Sequence, residues 1–209
     1  VNGQAHALAC RRRRRRGASA LETAAALPFL ILLLTASADY AWLALVQHQM
    51  SHAARTASRY GITGQAEALP TGAEVQQVRL CDGDGGGGEN ARIDRLRAIV
   101  AANAGRVLKS EGLCLTIGAY QGYQAVGRPE PLADINGNGR HDSGEAFTDI
   151  NGNGQWDADQ ATPSPGGSDE VAVYTLRYVT APLTGLTPGL GRSRRLLFES
   201  RVVVRNEPF

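Results

Sequence analysis

The sequence predicts an α+β chain. A long N-terminal membrane helix leads into a small exported domain with an amphipathic helix, an antiparallel sheet of three or more strands and an inserted loop segment. Three observations predict it. Ala24 to Val46 is apolar except for Pro28 and Asp39, and about 20 apolar residues span a bilayer core. Glu89 to Ser110 carries Ile93, Leu96, Val100, Asn103 and Val107 at three-to-four spacing, the period of a helix with one apolar face. Leu113 to Tyr120, Val171 to Thr180 and Arg195 to Arg205 are rich in Val, Leu and Tyr and read as strands.

The elements follow in order. Residues 1–17 form a basic leader with six consecutive arginines, Arg11 to Arg16, and no acidic residue. Such a block is either a nucleic-acid-binding arm or a topogenic signal. The membrane span beginning at once after it favours the second, and the positive-inside rule then keeps the N-terminus in the cytoplasm. A twin-arginine signal fits poorly, because the apolar run is long and no small-residue cleavage site follows it. The formal charge of +2 comes from this leader; without its six arginines the chain stands at −4. The exported part is therefore mildly acidic and not a nucleic-acid binder.

Residues 18–61 read as one helix. Pro28 removes a backbone donor inside it, a break that neighbouring helices can re-satisfy. Asp39 is either an outer-interface residue or a contact to a partner helix. Residues 62–88 read as a linker, with Pro70 and Gly85-Gly86-Gly87-Gly88. That glycine tract is no phosphate loop, since no Gly-Lys-Ser/Thr follows. Residues 89–209 are the exported domain, with an insertion at 134–160. Gly112 stops its helix, and Pro182 to Gly191 is too long for a tight turn between the last two strands.

Cys10 lies in the leader, while Cys81 and Cys114 lie on the exported side. Disulfides persist outside the cytoplasm, so Cys81 and Cys114 are expected to pair; the alternative is two buried thiols. His48 and His52 are four apart on a helix, but Gln49 stands where a zinc protease needs glutamate. Trp156 and Phe147 read as packing under a loop. No nucleophile–base arrangement is present in the pattern, and no enzymatic activity is expected.

The richest chemistry lies in the insertion. Asp134, Asn136 and Asn138 fill positions one, three and five of a calcium-loop template. Gly139 is the glycine at six, Arg140 supplies a backbone carbonyl, Asp142 stands at nine and Glu145 at twelve. Calcium takes six to eight hard oxygens, and this stretch supplies them in order. The pattern repeats with Asp149, Asn151, Asn153, Gln155 and Asp157. Gln160 stands at the second position twelve, so Asp159 is the expected substitute and weaker binding is expected. Only Ala146, Phe147 and Thr148 separate the loops, which leaves no room for EF-hand helices. The arrangement is similar to the tandem calcium loops of extracellular adhesin and thrombospondin-type repeats. The alternative is a polar Asn-Gly turn region without metal. A stretch this poor in apolar residues cannot pack a core, so the ion's expected role is structural.

The first third resembles the TadE-like family, the pseudopilin-like proteins of Flp/Tad tight-adherence pilus systems. Gly17-Ala18-Ser19-Ala20-Leu21-Glu22, Pro28, Leu30 to Leu34, Asp39-Tyr40 and the Ala53 to Tyr60 tract carry the resemblance, with Val203 to Phe209 loosely similar. The resemblance implies a type IV pilin-like helix and cleavage by a prepilin peptidase between Gly17 and Ala18. Glu22 would then meet the new α-amino group of a neighbouring Ala18. It also implies other pilin or pseudopilin subunits and the Tad assembly machinery as partners. The location implied is the cytoplasmic (inner) membrane, single-pass, with the C-terminal domain periplasmic or extracellular. The function expected is a structural minor pseudopilin or assembly component. The alternative is a membrane-tethered, calcium-dependent adhesin unrelated to pili.

Overall fold

In a computed structural model, residues 2–62, 78–81, 91–104, 107–109, 112–187, 189, 191 and 194–208 are described, with side chains from residue 20 onward except that of residue 91. The first helix, α1, covers Asn2–Ile62 and runs without interruption through Pro28. It is longer than the expected 18–61 because the helix already includes the arginine block. The glycine tract and most of the expected linker lie outside the described residues.

A two-residue strand β1 (Arg79–Leu80) follows, then helix α2 (Ala91–Asn103) and strand β2 (Leu113–Tyr120). Strands β3 (Val171–Thr180) and β4 (Leu196–Arg205) complete a sheet of order β1-β2-β3-β4. Pairing of β2 with β3 is antiparallel, with Leu115 opposite Leu176 and Ile117 opposite Tyr174. Pairing of β1 with β2 is parallel, Arg79 facing Cys114 and Leu80 facing Leu115. The expected all-antiparallel sheet is thus corrected to a mixed one. The reason is connectivity: a parallel pair needs a crossover of a dozen or more residues, and α2 lies in the intervening stretch. Two residues carry no periodicity, so β1 gave no signal in the sequence.

The chain divides into two compact units: residues 1–44 with 181–196, and residues 45–180 with 197–209. Within the second, the last part of α1 buries Val46, Met50, Ala53, Ala54 and Ala57. Their spacing of three and four places them on one helix face. One sheet face, with Leu113, Leu115, Ile117, Ala172, Tyr174, Leu176 and Tyr178, is buried throughout. Strand β3 is buried from Val171 to Leu176 on both faces, as befits a central strand covered on both sides. Val171 and Val173, on its other face, pack with Tyr120 against Ala125, Val126 and Ala161 of the long β2–β3 connection. That connection also covers β2's outer edge beyond β1: Ala119 and Thr162 exchange backbone hydrogen bonds of 2.8 and 3.0 Å.

Local ties fix the domain's corners. Gly61 has no Cβ, and an added one would collide with the Tyr174 ring and hydroxyl. From α2, the Arg92 guanidinium donates to the carbonyls of Gly61 (2.6 Å) and Gly166 (2.8 Å). Arg97 donates from Nε to Val78 O at 2.6 Å, which holds the chain entering β1. At the C-terminus, Asn206 donates from Nδ2 to Pro165 O and Gly167 O, and Glu207 N donates to Ile62 O. Cys81 and Cys114 form the expected disulfide, their Cα atoms 4.9 Å apart, within the ordinary range for a bridge. It staples the end of the two-residue β1 to β2.

Candidate functional site

The sequence-derived candidates fall in two places. One is the apolar part of α1. Ala20–Ile62 is long and apolar enough to cross a membrane by length and composition. Leu21, Leu27, Phe29 and Leu30 through Leu34 are all exposed, Leu33 by 62%. A helix that is apolar on every side has no preferred core of its own and suits lipid or other helices. Glu22 lies on this exposed stretch; Gly17 and Ala18 are helical, with side chains outside the described set.

Asp39 differs from its apolar neighbours, being buried within the first unit. Its carboxylate accepts Thr184 N (2.7 Å), Thr184 Oγ1 (2.8 Å) and Thr187 Oγ1 (2.6 Å). The sequence left it between a lipid-interface role and a partner helix. The structure gives it a third environment, the connection between β3 and β4, 145 residues away.

The other place is the paired loops. In the first, Asp134 Oδ1 accepts Gly137 N and Asn138 N, and Oδ2 accepts Gly139 N. Asn136 and Asn138 turn their Nδ2 groups onto one oxygen of Asp142, each at 2.7 Å. These two amide bonds hold the Asp142 carboxyl below the usual carboxylate range. Gly137 and Gly139 have φ of 72° and 71°, a region costing most residues roughly 1–2 kcal/mol. A Cβ at either would meet nothing within 4 Å, so the demand is conformational rather than steric.

The second loop repeats this. Asp149 accepts Gly152 N, Asn153 N and Gly154 N, while Asn151 and Asn153 donate to Asp157 Oδ2 at 2.7 and 2.6 Å. Gly152 and Gly154 have φ of 76° and 77°. The Arg140 and Gln155 backbones take the same place in each loop, their N–H groups donating to Asn138 Oδ1 and Asn153 Oδ1.

Position twelve separates the two. In the first loop Glu145 is buried; its Oε1 accepts Ile135 N (3.0 Å) and its Oε2 accepts Asp142 N (2.9 Å). In the second loop those two backbone donors are Ile150 N and Asp157 N, and both go to Glu130, at 2.7 and 3.1 Å. Glu130 is 1% exposed. It therefore holds the second loop as Glu145 holds the first, although it precedes both loops. Asp159, the expected substitute, instead accepts the Tyr120 hydroxyl on both oxygens at 2.9 and 3.0 Å. Burial and this carboxylate push the Tyr120 phenol up to about 12. Gln160 turns to Ala125 O.

Backbone pairing explains how Glu130 arrives. Ala133 N donates to Ala146 O and Thr148 N to Pro131 O, closing the first loop at its base. On the other side, Glu130 N donates to Asp157 O and Gln160 N to Arg128 O. The stretch 128–133 thus runs between the two loops and delivers its carboxylate to the second. The Trp156 indole donates to Glu130 O at 3.0 Å. Trp156 also stacks on His141 (5.9 Å), which meets Phe147 edge-on (5.2 Å). These aromatics pack between the loops, as their sequence positions suggested.

Among the described residues, no three His, Cys, Asp or Glu side chains converge as a metal cluster. The oxygen donors present in each loop are mixed carboxylate and amide. A groove of about 510 Å³ lies beside the second loop, bordered by Asn153, Asp157, Asp159, Arg177 and Arg201.

No curated protein and no solved structure matches the chain. Residues 17–59 match the family described as TadE-like protein, a stretch that takes in Glu22, the apolar segment and Asp39 and ends just before α1 does; the similarity is to that part of α1, and both loops lie outside it.

Proposed function

We propose that this chain is a structural subunit of a tight-adherence pilus system: a single-pass membrane protein whose exported domain is braced by calcium. The observation that carries the pilus reading is the TadE-like match over residues 17–59. It coincides with the motif Gly17-Ala18 and Glu22 and with an exposed, membrane-length apolar helix. In this reading a prepilin peptidase cuts after Gly17, and Arg11 to Arg16 remain cytoplasmic. Glu22 then neutralises the Ala18 amino group of a neighbouring pilin-like helix. A lone carboxylate in lipid is costly by roughly 2.5–3.5 kcal/mol, and a paired one is not. N-terminal sequencing of the membrane-extracted protein tests this. A start at Ala18 supports it; a chain found only with Arg11 to Arg16 attached refutes processing and with it the amino-group pairing.

The calcium reading rests on the two loops' shared geometry. Asp142 and Asp157 each attract two amide NH2 groups. In each loop, turning the two amides over aims two carbonyl oxygens at the aspartate and releases the backbone N–H groups they now accept; a cation between those oxygens and the aspartate replaces the NH2 donors. The first site is then Asp134, Asn136, Asn138, the Arg140 carbonyl, Asp142 and Glu145. The second is Asp149, Asn151, Asn153, the Gln155 carbonyl and Asp157, with Glu130 supplying the carboxylate at the template's twelfth position. Oxygen-only donors of this kind suit calcium, and extracellular modules bind it with a Kd on the order of 10⁻⁴–10⁻³ M. Calorimetry on the full chain in detergent should show heat saturating at millimolar calcium. No heat, with the same proteolysis pattern with and without chelator, would reduce the loops to a polar turn region. The adhesin alternative shares the calcium but predicts no effect on pili.

A further inference from the structure

The connection between β3 and β4 does more than link two strands. Within the first compact unit it is tied to α1 at one buried carboxylate, through Thr184 N, Thr184 Oγ1 and Thr187 Oγ1 on Asp39. This tie fixes where the connection stands along the helix. Arg16 to Asp39 covers about 34 Å at 1.5 Å per residue. A bilayer's hydrocarbon core is about 30 Å thick. With the arginine block at one face, Asp39 comes to the opposite boundary. Tyr40, which is exposed, and Trp42 follow immediately, and such aromatics mark membrane–water interfaces.

At that level the connection turns leucines outward. Leu183 is 54% exposed and Leu186 68% exposed, on either side of the tied Thr184. Water is a poor environment for two large side chains held this way by a rigid anchor. Further along, Arg194 and Arg195 are exposed. Arg194 is held in a turn by its own N–H on Gly191 O and its Nη1 on Gly189 O, both 2.8 Å. Leucines followed by arginines are the composition of a segment that lies in an interface, apolar side in the acyl boundary and cationic side among phosphates.

We propose that the connection around Thr184 is a second membrane contact: Leu183 and Leu186 insert into the acyl boundary of the leaflet nearest Asp39, with Arg194 and Arg195 toward its phosphate headgroups. The occupant is lipid, because the leucines share their unit and level with a membrane-length helix. The inference rests on that helix spanning a bilayer, and the test separates the two.

The full chain, with Cys10→Ser to leave the Cys81–Cys114 disulfide intact, is reconstituted in vesicles of phosphatidylcholine and phosphatidylglycerol. A polarity-sensitive fluorophore is attached through Leu186→Cys or, as a reference inside the span, Leu33→Cys. Both positions are exposed, so neither label displaces core. Lipids brominated on the acyl chains should quench both labels, and aqueous iodide should quench neither as it does the free dye. Quenching by bromine at Leu33 but by iodide at Leu186 would overturn the proposal and leave the span standing. Iodide quenching at both would overturn the span. An apolar emission at Leu186 without bromine quenching would indicate a protein cover, and that too overturns it. Asp39→Ala in the Leu186→Cys background should lower bromine quenching there while position 33 is unchanged; equal quenching would overturn the anchoring role of Asp39.

Discussion

Glu130, just before the first loop, and Glu145, at its end, do the same work: Glu145 accepts Ile135 N and Asp142 N of the first loop, and Glu130 accepts Ile150 N, Asn151 N and Asp157 N of the second. Removing one buried, hydrogen-bonded carboxylate leaves its donors short of partners, at about 1–3 kcal/mol. Glu145→Gln should therefore weaken the proposed first calcium site by about tenfold or more, and Glu130→Gln the proposed second. Two-site calorimetry distinguishes them. If Glu130→Gln leaves both sites intact while Asp159→Asn removes one, the assignment is wrong. The sequence could not show this. Template spacing runs forward from Asp149, whereas the carboxylate comes from 19 residues before it. The one visible signal was an acidic residue flanked by Pro129 and Pro131. Burial pushes Tyr174 up to about 12, and burial with Asp159 does the same for Tyr120. Both lie above the ordinary value of 10.0, so the folded state disfavours their ionisation. Their contribution to stability is intact below pH 10 and falls as pH rises toward about 12. Phenolate absorbance followed with unfolding should show late titration that becomes ordinary once the chain unfolds.

At the scale of elements, the disulfide and the loops make separate predictions. Cys81–Cys114 closes a loop of 33 residues, worth roughly 3–4 kcal/mol in the chain-entropy model. Reduction should lower the melting temperature and expose the β1 edge first, read as faster hydrogen exchange at Leu80 and Cys81. Equal exchange in oxidised and reduced protein would refute the staple. Asp134→Ala with Glu145→Ala should make residues 134–145 protease-sensitive while β2 and β3 stay protected, because the sheet's core lies elsewhere. The strands were the most legible part of the sequence. Both Leu113–Tyr120 and Val171–Thr180 were bounded correctly by their runs of β-branched and aromatic residues, and β4 starts one residue late. The second helix is shorter than the expected Glu89 to Ser110: Ile93, Leu96 and Val100 set its face, but the helix ends at Asn103, whose side chain caps back on Ile99 O at 2.8 Å. What escaped depends on contacts distant in sequence. A two-residue β1 exists through its pairing with β2 and its disulfide. The environment of Asp39 is made by threonines in a connection that reads as an ordinary Pro/Gly loop.

At the scale of the whole molecule, the chain combines a helix that is similar to the TadE-like family over residues 17–59 with a domain that uses the end of that same helix as core. Val46, Met50, Ala53, Ala54 and Ala57 are buried in the second unit, so the boundary falls near Leu45 rather than at the helix's end. Domain fragments cut at residue 62 should therefore lose this face and be poorly folded, while fragments from residue 45 retain it; circular dichroism of the two separates these outcomes. In the proposed function the helix serves assembly, and Glu22 is the residue on which that proposal depends. Glu22→Gln removes an intramembrane charge, so insertion should be unimpaired while the pairing with Ala18 is lost. The most direct measurement is the yield of sheared surface pili from cells carrying Glu22→Gln in place of the native chain, at matched membrane levels of the protein and beside a deletion strain. The account predicts that pili fall toward the deletion level. Undiminished pili in the Glu22→Gln strain would contradict the pairing, and undiminished pili in the deletion strain as well would contradict the pilus role itself.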